Sequence, residues 1–306
     1  MTQLKIVFLG TGGSWPTTKR NVTSIAVKRG SEIILFDCGE GTQRQFQKSM
    51  LSYMQITSIF ISHFHGDHFL GLPGLLQTMQ LNDREKPIHI YGPAGIQKLT
   101  DQLLSLGYFK PAYSIISHEI KNHDTIHFDG YAIHALKVNH NIPAYAYCLE
   151  EDKRPGKFNK KKALSLGIPE GPLFNKLQKG MTITLSNGKK ITPNMVLGPA
   201  RKGRKIVYSG DTKPYDELIP FSKNADVLIH EATFDSKLAN IADEYGHTTS
   251  VQAAKIAVQA QVEKLFLIHI SPRYLDTNIL KDEAKKIFQK TYIPNDLDAL
   301  EIFLKK

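Results

Sequence analysis

Within six residues, His63-Phe64-His65-Gly66-Asp67-His68 offers three imidazoles and a carboxylate. They follow an apolar run, Ile56–Ile61, that reads as a strand. A regular strand or helix cannot point four such groups one way. A tight loop held open by Gly66 can bring them together from several directions. Imidazole suits zinc, copper, nickel or iron, and a carboxylate can complete or bridge such a site. A lone histidine would be an ordinary core or surface residue, but a motif this dense reads as a metal site. Three more candidates end apolar strands elsewhere. His140 follows Tyr131–Val138, Asp211 follows Ile206-Val207-Tyr208-Ser209-Gly210, and His269 closes Leu265-Phe266-Leu267-Ile268. Ligands in α/β proteins gather at the carboxyl ends of strands. The set suffices for two metals bridged by one carboxylate.

The elements that must hold these residues are short β and α segments in alternation. Strands are expected at Leu4–Leu9, Ser24–Lys28, Ile33–Phe36, Ile56–Ile61 and Ile88–Tyr91. Thr42–Met50, Phe69–Gln80 and Ala94–Leu106 read as helices. Tyr131–Val138 and Ala144–Leu149 alternate like an antiparallel pair. Regular alternation resumes late, with strands at Lys205–Ser209, Ala225–His230, Lys264–His269 and Ala299–Leu304 and helices at Ser250–Gln259 and Asn278–Gln289. Between Lys153 and Lys205 the pattern fails. That stretch is rich in glycine and proline and reads as a long segment without regular structure, of the kind that tends to be functional.

Charge singles out the same stretch. Lys153–Lys205 holds 14 of the 39 lysines and arginines but one of the 29 acids, Glu170. It carries +13, which leaves 25 basic against 28 acidic residues, or −3, for the rest. A general solubility surface spreads its charge, whereas a concentrated basic stretch attracts a phosphate backbone. With 41% hydrophobic residues the chain is not disordered, and no apolar run approaches the roughly 20 residues of a membrane span. The N-terminus reads as a first strand and not a signal peptide. Cys38 and Cys148 form no motif, which points to small buried hydrophobes in a reducing cytoplasm rather than a disulfide scaffold.

His63-x-His65-x-Asp67-His68, taken with His140, Asp211 and His269, resembles the ligand set of the metallo-β-lactamase superfamily. His230-Glu231-Ala232-Thr233, His247-Thr248-Thr249 and Gly171-Pro172 narrow the likeness to ribonuclease Z, the family of endonucleases that trim the 3′ end of precursor tRNA. The resemblance implies an α/β fold, a four-layer αβ/βα sandwich, formed by residues 1–306 as one domain with a flexible basic arm and its flanks inserted at 152–203. It also implies two Zn2+ per chain, replaceable by Mn2+ or another divalent ion, and a cytoplasmic homodimer. By that likeness His63, His65 and His140 hold one metal, Asp67, His68 and His269 the other, and Asp211 bridges. Asp67 would also accept a proton from the attacking water. His247, helped by Glu231, would face the leaving oxygen. The bland alternative for His247 is a helix-start residue, since Thr249 and Ser250 can cap the helix that follows. His89, His118, His123, His127 and His134 read as structural or surface residues, and His230 as a packing residue behind the site.

The family's arm clamps tRNA and serves the active site of the other protomer. Lys157, Lys160, Lys161 and Lys162 suit its tip, with Phe158 as an aromatic among them, and Gly171-Pro172 resembles its Gly-Pro motif. Lysines bind a phosphate backbone without reading sequence. Lys19, Arg20 and Asn21 resemble the end of the family's Pro-x-Lys-x-Arg-Asn loop beside the cleavage site, which implies an RNA phosphate contact there, although the lysine comes one place late. The expected function is therefore a zinc endoribonuclease acting on precursor tRNA. The rivals are a small-molecule hydrolase of the same fold, which needs no basic arm, and a non-catalytic RNA-binding protein, which needs no complete ligand set.

Overall fold

Residues 2–305 are described by a computed structural model. The first half contributes β1 (Leu4–Gly10), β2 (Ser24–Arg29), β3 (Glu32–Phe36), β4 (Ile56–Phe60), β5 (Ile88–Gly92) and β6 (Ile115–Glu119). After these come β7 (Thr125–Phe128), β8 (Tyr131–Val138) and β9 (Ala144–Glu151). Two short strands, β10 (Ile183–Thr184) and β11 (Lys190–Ile191), lie in the basic stretch. The last five are β12 (Lys205–Tyr208), β13 (Val227–Glu231), β14 (Leu265–Ile268), β15 (Thr291–Tyr292) and β16 (Ala299–Glu301). Among the described residues they form two seven-stranded sheets, ordered β16-β1-β2-β3-β4-β5-β6 and β15-β14-β13-β12-β9-β8-β7, and the β10-β11 hairpin.

The sheets face one another across a layer of aromatic rings. Phe36 of β3 stacks on Tyr147 of β9 and Tyr208 of β12, with centroids 6.0 and 5.7 Å apart. Phe8 of β1 stacks on Phe266 of β14 at 5.2 Å. Such offset contacts between fully buried rings join apolar burial to a geometric preference, which fixes how the sheets meet. The outer face of the first sheet is covered by α1 (Thr42–Lys48), α3 (Leu72–Leu81) and α4 (Ile96–Leu104), through Phe46, Leu75, Leu76 and Ile96. Between α1 and α3 lies α2 (Gly66–Phe69), a single turn that carries part of the histidine motif. The second sheet is covered by α9 (Ser250–Gln259), whose Ala253, Ala254 and Ala257 pack on Val207, Leu228 and Leu267. The layers therefore run helix, sheet, sheet, helix. β3, β4, β5 and β6 run parallel, as do β12, β13, β14 and β15. Their carboxyl ends supply the loops that hold the candidate ligands.

The basic stretch departs from its expected lack of regular structure. With residues 129–131, residues 151–203 form a compact unit of their own. It contains α5 (Lys160–Ser165), α6 (Pro172–Gln178) and the β10-β11 hairpin around a small core of Ala163, Ile168, Leu177, Ile183, Ile191 and Val196. Helices of six and seven residues span too few turns to show a 3.6-residue period, so the apolar positions look scattered in sequence. Phe158, the aromatic among the tip lysines, packs its ring on Phe174 at 4.7 Å. Gly171 has φ +136°, a conformation closed to most side chains, and Pro172 follows as the first residue of α6. The Gly-Pro pair is thus a helix-opening device. Lys157, Lys160, Lys161 and Lys162 all lie on the exposed surface of this unit. Lys160 pairs with Glu170 at 2.8 Å, an exposed contact worth little.

Candidate metal centre

The seven candidate ligands converge. His63, His65, His140 and Asp211 form one group of ligand atoms, and Asp67, His68 and His269 a second, each within 4.8 Å. His63 Nε2 lies 3.0 Å from His65 Nδ1, and His140 Nε2 lies 3.3 Å from the same atom. Asp211 Oδ2 sits between the groups, 3.6 Å from His63 Nε2, 3.3 Å from His68 Nε2 and 3.2 Å from His269 Nε2. Asp67 Oδ2 is 3.2 Å from His269 Nε2 and 3.6 Å from His68 Nε2. A tetrahedral ion with bonds near 2.0–2.1 Å sets its ligand atoms about 3.3–3.4 Å apart. The observed spacings match that edge length. His68 Nε2 is buried without a hydrogen-bond partner, as a nitrogen reserved for a metal would be. The residues present therefore fit a pair of zinc-like ions, with one carboxylate oxygen shared.

For His63, His68, His140 and His269, the back side of the ring explains why Nε2 faces inward. His68 Nδ1–H donates to Asp37 Oδ2 at 2.7 Å, and His140 Nδ1–H to the Gly246 carbonyl at 2.8 Å. His269 Nδ1–H donates to Thr233 Oγ1 at 2.8 Å, whose hydroxyl donates to Glu231 Oε2 at 2.7 Å. His63 Nδ1–H donates to Ser62 Oγ at 2.9 Å, and that hydroxyl donates to Asp37 Oδ2 at 2.7 Å. Holding Nδ1–H in this way leaves the Nε2 lone pair for a metal and fixes the ring's orientation. Asp37 is the functional residue that the motif reading missed. It is fully buried and also accepts the Ser62 N–H at 2.6 Å and the Tyr208 hydroxyl. The available signal was its place directly after the apolar run Ile33–Phe36, the same strand-end logic that found Asp211.

Electrostatics follows the packing. Burial disfavours charge on Asp211, yet His269 and His68 hold its carboxyl well below the usual carboxylate range. Burial opposes ionisation of Asp67 too, and His68 and His269 override it. Burial, reinforced by His68, keeps the His63 ring neutral, the form that can ligate. Burial alone would lower His247, but Glu231 lifts it to about 9. His247 Nδ1–H donates to Glu231 Oε1 at 3.0 Å and lies 3.9 Å from Asp211 Oδ2. Glu231 is anchored by the Thr212 and Thr233 N–H groups at 3.0 and 3.2 Å. The helix after His247 is capped by Thr249, which forms a reciprocal capping box with Gln252. Capping thus makes no use of the His247 side chain, and the ring is left held against Glu231.

The Lys19-Arg20-Asn21 segment is placed differently from the ligands. Arg20 turns inward, donating to Thr11 Oγ1 at 2.5 Å and the Pro294 carbonyl at 2.6 Å, beside Asp296. Asn21 is tied to Glu40 O at 2.9 Å and Asp296 Oδ2 at 2.6 Å. Lys19 reaches the Leu275 carbonyl at 3.3 Å and stays exposed. Arg20 and Asn21 therefore brace the loop. The part of that loop facing the ligands is Gly13-Ser14, where Ser14 N–H donates to Asp67 Oδ2 at 2.6 Å. His230 is buried behind the site with Nδ1 on the Glu231 carbonyl at 2.7 Å. His89 and His118 pair with each other at 3.0 Å on the first sheet.

Gly13 backs the metal centre directly. A Cβ there would come within 2.5 Å of the His269 ring. Gly13→Ala should therefore displace His269, weaken metal binding and lower activity while the fold is kept. Metal content after dialysis, with circular dichroism as the control for folding, checks this outcome.

The comparisons with known proteins agree with this geometry. Residues 4–154 match the family described as anti-Pycsar protein Apyc1, and residues 181–270 match the beta-lactamase superfamily domain. The chain is 48% identical over 301 residues to a ribonuclease Z of Methanosarcina acetivorans, covering 98% of each protein. It is 45% identical over 299 residues to a ribonuclease Z of Pyrococcus horikoshii, covering 98% of this chain and 96% of that one. The crystal structure of the short form of human tRNase Z superposes with a TM-score of 0.71 at 28% identity, over 97% of this chain and 98% of that one. YhfI from Bacillus subtilis, described as a metallo-beta-lactamase fold protein, also gives a TM-score of 0.71, at 21% identity and over 98% and 99% of the two chains, and speaks for the fold alone. With the four-layer α/β sandwich and the clustered ligands, these likenesses show a metallo-β-lactamase fold, and the chain belongs to the ribonuclease Z family.

Proposed function

We propose that this chain is a zinc-dependent endoribonuclease that removes the 3′ trailer from precursor tRNA, leaving a 3′-hydroxyl on the tRNA and a 5′-phosphate on the trailer. The observation that carries the reading is one buried carboxylate oxygen of Asp211 between two ligand groups, with the His247–Glu231 pair beside it. Named relatives across nearly the whole chain support the substrate. Two bound divalent cations would supply an acidified water and stabilise the charge that develops on the oxygens of the displacement. His63, His65 and His140 would hold one, Asp67, His68 and His269 the other, and Asp211 both.

The remaining chemistry belongs to side chains. Asp67 accepts a proton from the attacking water and orients it toward phosphorus. Its own position is set by Ser14 N–H and His269. As the bond from phosphorus to the 3′ oxygen breaks, His247 gives that oxygen a proton. Glu231 holds Nδ1–H, so Nε2–H is the donor. Lifted to about 9, the imidazole carries its proton at neutral pH. The basic unit of residues 151–203 acts as the tRNA-binding arm. Lys157, Lys160, Lys161 and Lys162 contact phosphates, and Gly171-Pro172 shapes the surface that presents them. The arm serves the partner's active site in a homodimer. A small substrate needs no such unit, which weighs against a small-molecule hydrolase. Among the described residues no helix is long and apolar enough to cross a membrane.

Two experiments test this reading. His247→Ala should keep its bound metal and its tRNA affinity but lose turnover by about 10²–10⁴ on precursor tRNA. A phosphodiester with a nitrophenolate leaving group needs little protonation, so its loss should be smaller. Equal losses on the two substrates remove the proton-donor role. For the arm, Glu150 and Lys205 are paired neighbours in antiparallel strands, so a short glycine-containing turn can replace residues 151–204. This variant should still cleave the small phosphodiester. Its binding to precursor tRNA should weaken, and the dependence of log affinity on log salt should become shallower. Unchanged tRNA affinity would discard the arm.

A further inference from the structure

Trp15 is the chain's single tryptophan, and 61% of its surface is exposed. An exposed indole on a monomeric surface is ordinarily mobile or buried by a partner. The backbone that carries Trp15 is held close to the candidate metal ligands. The Trp15 backbone N–H donates to the Gly13 carbonyl at 2.9 Å across a tight turn in which Ser14 has φ +68°. The preceding N–H, on Ser14, donates to Asp67 Oδ2. On the other side, Gly13 N–H donates to the Ile270 carbonyl at 3.1 Å, immediately after His269. The turn is thus fastened to one candidate ligand, Asp67, and to the residue that follows another, His269, and Trp15 comes next in the chain.

Trp15 lines a cavity of about 250 Å³ together with Lys19, Arg20, Ile270, Tyr274 and Asp276, among others. The Tyr274 hydroxyl accepts the Asp235 N–H at 2.8 Å, which anchors this aromatic side chain. A lining that combines aromatic side chains with polar ones, Lys19 and Arg20 among them, suits a planar heteroaromatic ring attached to a phosphate, since a base has apolar faces and hydrogen-bonding edges. Base-on-aromatic stacking of this kind tolerates any base, because each has a π-face. A scissile phosphate at the ligand cluster would carry its neighbouring nucleotides into reach of this cavity.

We propose that this cavity is a nucleobase subsite, in which the base next to the scissile phosphate unstacks from its neighbour and lies on Trp15. The subsite rests on the reading of the chain as an RNA endonuclease. It gives the enzyme a grip on the substrate at the cut itself, independent of base identity.

The single tryptophan makes this directly observable. Wild-type enzyme is mixed with precursor tRNA in a stopped flow, with excitation confined to the indole, and cleavage is followed in parallel. Two further precursors are abasic at the nucleotide on one or the other side of the scissile phosphate. The unmodified precursor should quench Trp15 before cleavage, and at least one abasic precursor should fail to do so and be cut more slowly. Trp15→Ala should lower kcat/KM on the unmodified precursor by about 5- to 100-fold, the usual worth of one stacked base. On the abasic precursor that fails to quench, the same substitution should cost nothing more. Trp15→Phe should restore most of the loss. Equal quenching by all three precursors, or losses from Trp15→Ala and from the abasic site that simply multiply, overturns the subsite. Cleavage of the unmodified precursor by the wild type is a separate readout. Its absence contradicts the nuclease reading, whereas normal cleavage with an unresponsive indole removes the subsite alone.

Discussion

A single buried carboxylate sets the problem that the rest of the structure solves. Asp211 is 2% exposed, and its Oδ2 lies within 3.6 Å of nitrogens from His63, His68 and His269. An isolated buried anion is very costly, and so is a crowd of unpaired imidazole nitrogens. Each is tolerable here because the other is present, and a pair of divalent cations fits where they meet. The centre is therefore self-compensating only when all its members are in place. Removing one leaves several buried polar atoms without partners.

That requirement accounts for the fold around it. The ligands come from the ends of β4, β8, β12 and β14, which belong to two different sheets. Their mutual distances depend on how the sheets meet, and the stacked layer of Phe36, Tyr147, Tyr208, Phe8 and Phe266 sets that meeting. Asp37 ties the layers to the site. It accepts from Ser62 and His68 after the first sheet's β4 and from Tyr208 of the second sheet's β12. Three residues at the centre, Ser14, Asp37 and His269, have left-handed backbone, which costs energy for any side chain but glycine. Strain of this kind persists where surrounding contacts over-determine it, and here those contacts are the hydrogen bonds that aim the ligands.

Much of this was legible in the sequence because the chemistry is local. His63 to His68 lie on one loop and the helical turn that continues it, and His140, Asp211 and His269 each follow an apolar run, so type and position sufficed to bring them together. The two sheets were legible for the same reason, as runs of β-branched and aromatic residues. Asp37 escaped because a lone aspartate after a strand is indistinguishable from a turn residue until its partners are seen. The compact unit at 151–203 escaped because its helices are shorter than two full turns and its core holds only six buried residues. High glycine and proline content there reflects tight corners between short elements. Arg20 Nη1 is held by Thr11 Oγ1 and the Pro294 carbonyl, an anchoring of the loop that its place in the motif did not reveal.

The central claim is that Asp211 is shared by two cations. Metal content per chain, measured after exhaustive dialysis on wild type and on Asp211→Ala, tests it most directly when the variant's fold is checked by circular dichroism. Two cations in the wild type and fewer than one in a folded variant are the expected result, with cleavage lost in step. A folded variant that still holds two cations would contradict the account, since neither ligand group would then depend on the carboxylate between them.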